Sequence, residues 1–302
     1  MTRLRHGLDY MVFLGLQGLL LALPLRIVQR LGAWVGVFVG GVLRYRWHIT
    51  IDNLRHAVPA LSDQQIRRYA KSSYASVGTT LFEFAWFPRL TERRFRALVT
   101  TTGEEALRTA FRAGKGVVVV TAHFGSWEIL GQVSRFVLVL PGALLVRGLT
   151  NPFVNRRVDA MRRRYGNSTV PSTLAIRELL RTLTSGGWVL MAADQSAPRE
   201  GIMVPFFGRE VSTFQGPATL ALRTGAQMVL GLARRGSDGR YVIRFERIPS
   251  TDLGTMTPQS VRELTERHVR MTELLIREAP EQWMWMHRRW KHLDPTSTGD
   301  RK

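Results

Sequence analysis

A histidine followed five residues later by a glutamate is the pair in this sequence best placed for acid–base chemistry. His123 and Glu128 stand in the segment 121–128, which reads TAHFGSWE. Gly125 permits a sharp turn between them, so Glu128 could face back toward the imidazole. A carboxylate on one ring nitrogen fixes the tautomer and raises the basicity of the other nitrogen. Such a base lacks its own nucleophile, so the nucleophile would be a substrate hydroxyl.

The spacing alone is weak evidence, because His268 and Glu273 share it. That second pair lies in a predicted continuous helix, where five residues rotate the side chains about 140° apart. His268 is therefore predicted to lie on the helix surface. His123 differs, because a strand ends and a helix begins between it and Glu128. On the local sequence, a core histidine bonded to a backbone carbonyl is the alternative for His123.

Two other kinds of active site fit the segment less well. Ser126 suggests a serine hydrolase, but the pattern Gly-x-Ser-x-Gly is absent, and Ser126 is predicted to cap the following helix. No metal site is predicted, because the chain has no HExxH motif and no second histidine close to His123. The chain of 302 residues has no cysteine, which excludes disulfides, thiolate metal sites and a cysteine nucleophile.

Further candidate residues follow other predicted strands. Asp194 and Gln195 end the strand at 188–193, although an aspartate there can also simply cap a turn. Phe206 and Phe207, in the apolar loop 201–208, are predicted either to form an apolar lid or acyl-chain wall, or to pack in the core. Arginines that could contact phosphate or an oxyanion are Arg147, Arg157, Arg162, Arg163, Arg164 and Arg177.

An α/β framework is predicted to position these residues. Residues 116–122 (GVVVVTA) form an unbroken β-branched run, typical of a strand buried on both faces of a parallel sheet. Ser62 and Gln65 form a capping box at the start of a helical pattern at 62–87. Further helical patterns span 126–138, 152–165, 174–184, 214–224 and 258–278. Further strands are predicted at 143–147, 188–193, 227–233 and 241–248. This alternation predicts a central, mostly parallel sheet flanked by helices, with reacting groups at the carboxyl ends of the strands.

Residues 1–46 are predicted to form a membrane-associating segment, and residues 47–302 the α/β domain. The apolar runs at 10–25 and 31–43 are shorter than the usual membrane span, and arginines flank both. An uncleaved anchor, a pair of interfacial helices and a buried core helix all fit this pattern. The sequence has no convincing signal-peptide cleavage site.

The formal net charge is +20, and only four of the 43 basic residues are lysines. Arginine binds phosphate and carboxylate with a bidentate fork. The charge therefore predicts anionic partners, which could be nucleic acid, anionic lipid headgroups or an acidic carrier protein. A genome that favours arginine explains part of the residue choice but not the sign of the charge.

Taken together, the ordered motifs resemble the bacterial lipid A biosynthesis lauroyl/myristoyl (late) acyltransferase family, which includes the phosphatidylinositol mannoside acyltransferases. The resemblance covers most of the chain. Its motifs, besides the N-terminal apolar segment, are DNL at 52–54, HFGSWE at 123–128, DQ at 194–195, VPFFG at 204–208, GPA at 216–218 and PEQWMWMHRRWK at 280–291.

The resemblance implies a glycerolipid-acyltransferase-like fold and transfer of a fatty acyl group from acyl carrier protein or coenzyme A to a glycolipid hydroxyl, with no other cofactor. The acceptor would be a lipid A precursor, a phosphatidylinositol mannoside or another polar lipid. The implied site residues are His123 and Glu128 as the catalytic pair, Arg147 and Arg164 near the acceptor or thioester carbonyl, and Asp194 and Gln195 beside the cleft.

The resemblance also implies a place on the cytoplasmic face of the inner membrane, with no nucleic acid partner. The residues themselves leave two alternatives. An esterase or thioesterase would use the same base on water, and a non-catalytic basic protein would bind membrane or nucleic acid.

Overall fold

The β-branched run at 116–122 forms the central strand in the computed structural model, which describes residues 2–138, 140, 142–172, 175–197 and 201–291. All five residues of this strand are buried, which explains its unbroken apolar character. The strands, in chain order, are β1 (Val99–Thr102), β2 (Val117–Thr121), β3 (Gly142–Val146), β4 (Ser168–Pro171), β5 (Trp188–Ala192), β6 (Ile202–Phe206), β7 (Arg209–Thr213), β8 (Gln227–Arg235) and β9 (Tyr241–Ile248).

Seven of these strands form one sheet, in the order β1-β9-β8-β2-β5-β3-β4. Neighbouring strands are parallel except β8 and β9, which are antiparallel because the short loop 236–240 connects them directly. The predicted mostly parallel sheet is thus confirmed. The sequence patterns missed β1 and β4 at its two edges.

Helices pack on both faces of the sheet. Val118 and Val120 of β2 belong to one buried cluster, and Val117 and Val119 belong to the other. The helices are α1 (Thr2–Ala22), α2 (Leu25–Gly41), α3 (Trp47–Ala57), α4 (Asp63–Trp86), α5 (Glu92–Leu98), α6 (Glu104–Arg112), α7 (Pro152–Arg163), α8 (Ala175–Thr184), α9 (Gly216–Thr224) and α10 (Pro258–Glu278). The predicted helix at 174–184 begins at a residue outside the described ranges.

Local signals set several helix ends correctly, but one predicted helix was wrong. The capping box of Ser62 and Gln65 is present at the start of α4. By contrast, the helix predicted at 126–138 is a 3-10 helix, Trp127–Gln132, followed by a π-helical turn, Ser134–Leu138. The other 3-10 segments in the described ranges are Phe87–Arg89 and Pro280–Gln282.

Glycines let α2 pack against α4 at very short distance. A Cβ atom on Gly36 would lie 2.0 Å from the carbonyl oxygen of Tyr74, and one on Gly78 would lie 2.2 Å from that of Gly32. The same face of α2 also buries Val28. One face of the second apolar run is therefore part of the protein core, as the buried-helix interpretation expected.

The opposite faces of α1 and α2 expose apolar side chains at helical spacing. None of the helices in the described ranges is both long enough and apolar enough to cross a membrane. The exposed residues follow the i, i+3, i+4 pattern of a single face on each helix. They are Leu4, Leu8, Met11, Val12, Leu16 and Leu19 on α1, and Ile27, Leu31, Trp34, Val37 and Phe38 on α2.

The segment 201–208 is not a loop but part of a two-stranded antiparallel hairpin, β6 with β7. Phe207 and Gly208 form its turn with φ values of +50° and +76°, as in a type I′ turn. Phe206 and Phe207 are 2% and 4% exposed, and both rings pack against Trp290. Both rings lie in the core, as the core-packing alternative held, and a role for them in bordering an acyl chain stays a prediction.

Candidate active site

Residues that follow two neighbouring strands meet at the carboxyl edge of the sheet. Thr121 at the end of β2 lies opposite Ala192 at the end of the parallel strand β5, and His123 and Asp194 come two residues later in each case. His123 Nδ1 lies 2.8 Å from Asp194 Oδ1, and the amide of His123 donates to Asp194 Oδ2 at 2.8 Å. The Trp283 indole donates to the same Oδ2 at 2.9 Å. Asp194 therefore fixes both the backbone and the ring of His123.

This contact determines which nitrogen of His123 can act as a base. The carboxylate of Asp194 only accepts hydrogen bonds, so the ring proton stands on Nδ1 and Nε2 carries the lone pair. The imidazole side chain is 23% exposed, whereas that of Asp194 is 2% exposed. In the described part of the chain no protein group bonds to Nε2. A partly accessible Nε2 backed by a buried carboxylate is the arrangement of a general base.

The electrostatics of the pair support that role. Burial lowers the pKa of His123, but the Asp194 carboxylate outweighs burial, so the pKa lies above its ordinary value of 6.5. Burial raises the pKa of Asp194, yet its contacts with His123 outweigh burial and hold the pKa at about 2. Asp194 is therefore ionised at neutral pH and stabilises the imidazolium that forms when Nε2 takes up a proton.

Glu128 does not make the expected hydrogen bond to His123. Its carboxylate forms a bidentate ion pair with Arg162, at 2.6 Å and 3.2 Å. The negative charge of Glu128 also raises the pKa of His123, but its effect is smaller than those of burial and of Asp194. The carboxylate that contacts the ring is thus Asp194, which the sequence had placed beside the cleft, and the catalytic assignment of Glu128 stays a prediction.

The backbone after His123 is held tightly. Gly125 has a φ of +53°, and a Cβ atom there would lie 2.0 Å from the carbonyl oxygen of Ala233, so only glycine fits. The amides of residues 123–126 all donate within the protein, respectively to Asp194 Oδ2 and to the carbonyl oxygens of Ala122, Gln282 and Ala233. These four amides are therefore not free to donate to an oxyanion.

Ser126 is neither a helix cap nor a nucleophile in this structure. Its side chain makes no cap hydrogen bond to the helix that follows. Instead, Ser126 Oγ donates to Glu83 Oε2 at 2.9 Å, and both residues are fully buried. His123 therefore has no partner nucleophile in Ser126, which agrees with the expectation that the substrate supplies the hydroxyl.

The remaining predicted site residues are Arg147, Gln195 and Arg164. Arg147 is exposed and follows β3, which is parallel to β5, so it lies at the same edge of the sheet as His123. Gln195 directly follows Asp194, and its carbonyl oxygen accepts from Arg289 at 3.1 Å. Arg164 is exposed and lies two residues, about 200° of helical rotation, beyond Arg162. Arg162, which faces Glu128, is therefore nearer the site than Arg164.

His268 is buried rather than exposed, which corrects the sequence-based prediction. It is 1% exposed on the core face of α10, and burial, with a smaller contribution from Arg289, lowers its pKa to about 3. With Asp194 and Arg289, His268 lines a cavity of about 10 Å³. This volume is far below the roughly 300 Å³ of a small ligand pocket. The i, i+3, i+4 spacing of Val261, Leu264 and Thr265 before it was the missed signal of burial.

Sequence reasoning also missed three polar residues around the site. Arg289 is 1% exposed and donates to the carbonyl oxygen of Ser212 at 2.7 Å and to Thr213 Oγ1 at 2.6 Å. His287 Nε2 accepts from the amide of Ser196 at 3.0 Å. Glu83 stands in the apolar run LFEFAW at 81–86, and a lone acidic residue in such a run could have indicated a buried charge.

Comparison with known proteins shows which family the chain belongs to. Residues 1–292 match the family described as bacterial lipid A biosynthesis acyltransferase. The chain is similar to the lipid A biosynthesis lauroyltransferase of Escherichia coli, with 28% identity over 96% of this chain and 94% of that protein. It is also similar to the palmitoleoyltransferase of the same organism, with 28% identity over 92% and 89% of the two chains. A phosphatidylinositol mannoside acyltransferase of Mycolicibacterium smegmatis is 27% identical over 56% of each chain.

The family match extends from the N-terminal helices through the strand ends that carry His123 and Asp194 to the aromatic segment around Trp283. Since it covers almost the whole chain, the protein belongs to the bacterial lipid A biosynthesis acyltransferase family and is an acyltransferase.

Proposed function

We propose that this acyltransferase moves a fatty acyl group from a thioester to a hydroxyl of a lipid A precursor at the membrane surface. The observation that carries the proposal is the His123–Asp194 pair, in which Nε2 is accessible and no protein nucleophile accompanies it. Relatives named for lipid A biosynthesis match over about nine-tenths of the chain, whereas the phosphatidylinositol mannoside relative matches over 56%. The lipid A acceptor is therefore favoured over a mannoside.

In the proposed mechanism, His123 Nε2 removes the proton of the acceptor hydroxyl as its oxygen attacks the thioester carbonyl carbon. The carbonyl π electrons move to oxygen, and a tetrahedral oxyanion forms. When this intermediate collapses, the C–S bond breaks and the ester remains on the lipid. The thiolate leaves and takes up the proton that His123 had accepted, which restores the neutral imidazole.

Arg147 is the proposed donor to the oxyanion. The amides of residues 123–126 are occupied, and Arg162 is paired with Glu128. Arg147 is exposed at the same sheet edge as His123, and a guanidinium there would stabilise the negative oxygen. Gln195, half-buried beside Asp194, would border the acceptor.

The donor is proposed to be acyl carrier protein or coenzyme A, with no further cofactor. Both carry anionic phosphate groups, and acyl carrier protein would in addition present an acidic surface. A net charge of +20 would attract either donor and accelerate its association. The same charge would attract the anionic headgroups of the cytoplasmic leaflet.

The exposed apolar faces of α1 and α2 support a place on the membrane surface, where these helices would lie in the interface. Exposed arginines accompany the apolar side chains, among them Arg26 and Arg30 on α2 and Arg44 just after it. A basic helix with one apolar face typically lies in the plane of the headgroups. We therefore propose that the protein lies on a membrane surface. The family resemblance implies that this is the cytoplasmic face of the inner membrane and that nucleic acid is not a partner.

A single charge on this face should weaken membrane binding. Leu19→Glu places a carboxylate on the apolar face of α1, where Leu19 is 57% exposed. A leucine side chain that is buried in the membrane contributes about 1.5–3 kcal/mol to binding. Its loss should reduce binding to phosphatidylethanolamine–phosphatidylglycerol vesicles about tenfold or more, measured by co-sedimentation. The matched control is Leu274→Glu on α10, where Leu274 is 56% exposed. Equal binding by the two variants would contradict the proposed orientation.

The proposed function is tested with purified protein, an acyl carrier protein or coenzyme A thioester, and a lipid A precursor. Mass spectrometry of the lipid should show the gain of one acyl group, and lipids from cells without the gene should lack one. A parallel reaction offers a phosphatidylinositol mannoside as the acceptor. Release of free fatty acid with no acylated lipid would instead identify a thioesterase and overturn the proposal.

A further inference from the structure

A buried carboxylate outside the catalytic pair connects to the backbone turn that follows His123. Glu83 on α4 has no exposed surface, and its ion pair with Arg235 at the end of β8 is 2.6 Å long. The guanidinium Nε also donates to Glu83 Oε1 at 2.8 Å. Burying such a pair costs desolvation energy, and a hydrophobic pair of equal volume would often serve stability as well. Its presence beside the active site therefore calls for a role other than stability.

The two oxygens of Glu83 face two different parts of the protein. Oε2 accepts from Ser126 Oγ at 2.9 Å, on the side of the active-site turn. Oε1 accepts from the hydroxyl of Tyr241 at 2.9 Å and from Gln29 Nε2 at 2.9 Å, on the side of β9 and α2. One carboxylate thus links the turn after His123 to the strand and helix on the far side.

A second chain of bonds reaches the same turn. Arg235 donates to Thr80 Oγ1 at 2.7 Å, and Thr80 Oγ1 donates to the carbonyl oxygen of Gly125 at 2.6 Å. Ser126 and Gly125 are therefore both held by groups that depend on the Glu83–Arg235 pair. The amino side of His123 is held separately, by β2 and Asp194.

We propose that Glu83 is a positioning residue for catalysis: through Ser126, and through Arg235 and Thr80, it fixes the turn after His123 and so aims Nε2 at the acceptor hydroxyl. This inference rests on the proposed role of His123 as the base. Glycine at position 125 leaves the turn intrinsically free to adopt other conformations. A misplacement of the base by about 1 Å can cost up to about a hundredfold in rate. The Glu83 network adds side-chain bonds at Ser126 and Gly125 to the amide bonds that already hold this turn.

The chain offers a matched pair of variants to test this. Ser126→Ala and Tyr241→Phe each remove one hydroxyl that donates to Glu83 at 2.9 Å, and each leaves the Glu83–Arg235 ion pair intact. Ser126→Ala should lower kcat about tenfold, because it removes the bond between the turn and Glu83 and so loosens the position of His123. Tyr241→Phe should keep kcat within about twofold. Glu83→Gln is a poorer variant, since it leaves the Arg235 cation buried without an anion.

Steady-state acyl transfer by both variants is compared with wild type, together with thermal unfolding. Positioning predicts that Ser126→Ala changes kcat with KM nearly constant, and that the acidic limb of its pH–rate profile stays in place, because the His123–Asp194 contact is intact. Equal kcat losses in the two variants, or none in Ser126→Ala, would overturn the proposal.

If Ser126→Ala fails to fold, Thr80→Val removes the bond to Gly125 and is judged by the same criteria. Failure of wild-type protein or of His123 variants to behave as expected would instead refute the proposed function.

Discussion

His123→Ala is expected to lower the kcat of acyl transfer about 10³-fold, because it removes the lone pair that accepts the hydroxyl proton. A positioned general base typically contributes 10²- to 10⁴-fold. His123 Nε2 is the accessible nitrogen of a ring whose other nitrogen is held at 2.8 Å by Asp194. The rate is measured with purified protein at saturating thioester and acceptor, and near-normal transfer would refute the base assignment.

Two further variants make the result interpretable. Alanine leaves the buried Asp194 carboxylate without its ring partner, so part of the loss could reflect local rearrangement. His123→Asn keeps an N–H close to the position of Nδ1 but has no group at Nε2, and the same loss is expected from it. His48→Ala, an exposed histidine on α3, should retain the wild-type rate.

Asp194→Asn is expected to lower kcat by about 10³-fold or more, through the ring tautomer. Oδ2 of Asp194 accepts from both the His123 amide and the Trp283 indole, so the asparagine carbonyl oxygen must take that position. Its NH₂ group then faces His123 Nδ1 and donates to it. The ring proton moves to Nε2, which can no longer accept a proton from the acceptor.

The same variant has a pH signature. In wild type the Asp194 carboxylate outweighs burial and raises the pKa of His123, so the active neutral ring is lost as the pH falls through this raised pKa. Without the carboxylate, burial is less opposed and the pKa falls. The acidic limb of kcat/KM should therefore move to lower pH, and a limb that stays in place would contradict the assigned contact.

Glu128→Gln in the same assays distinguishes the two carboxylates. Glu128 bonds to Arg162 and acts on His123 only by its charge, so its amide leaves the ring tautomer unchanged. The kcat loss should then be smaller than for Asp194→Asn. A larger loss would show that the sequence-based pairing of His123 with Glu128 describes the working enzyme better than the contact in the structure.

The sequence predicted the central strands well because each carries a continuous apolar run. β2 is buried at all five positions and β5 at three of its five, and a strand buried on both faces has a continuous apolar sequence. Strand β1, with the sequence VTTT, alternates between half-buried and exposed residues at a sheet edge. Its polar composition therefore gave no clear strand signal.

The β6–β7 hairpin was missed for a different reason. Its two-residue turn needs positive φ at both positions, and Asn-Gly or Asp-Gly is the usual signal. Here Phe207 occupies the first position. Burial of its ring against the tryptophans and its bond from the amide to Glu273 at 2.6 Å offset the backbone cost. Tertiary contacts thus stabilise a turn that local propensity disfavours.

The sequence by itself determined that a histidine would stand at the carboxyl end of a buried strand, followed by a glycine turn, and which family the chain resembles. Only the tertiary structure decided which carboxylate serves it. Asp194 is 71 residues from His123, and it reaches the ring because β2 and β5 are neighbours in the sheet. Glu128 is only five residues away, but it lies in a 3-10 helix whose direction places its carboxylate against Arg162. Such choices depend on strand order and helix direction, which non-local packing sets, and spacing along the chain cannot reveal them.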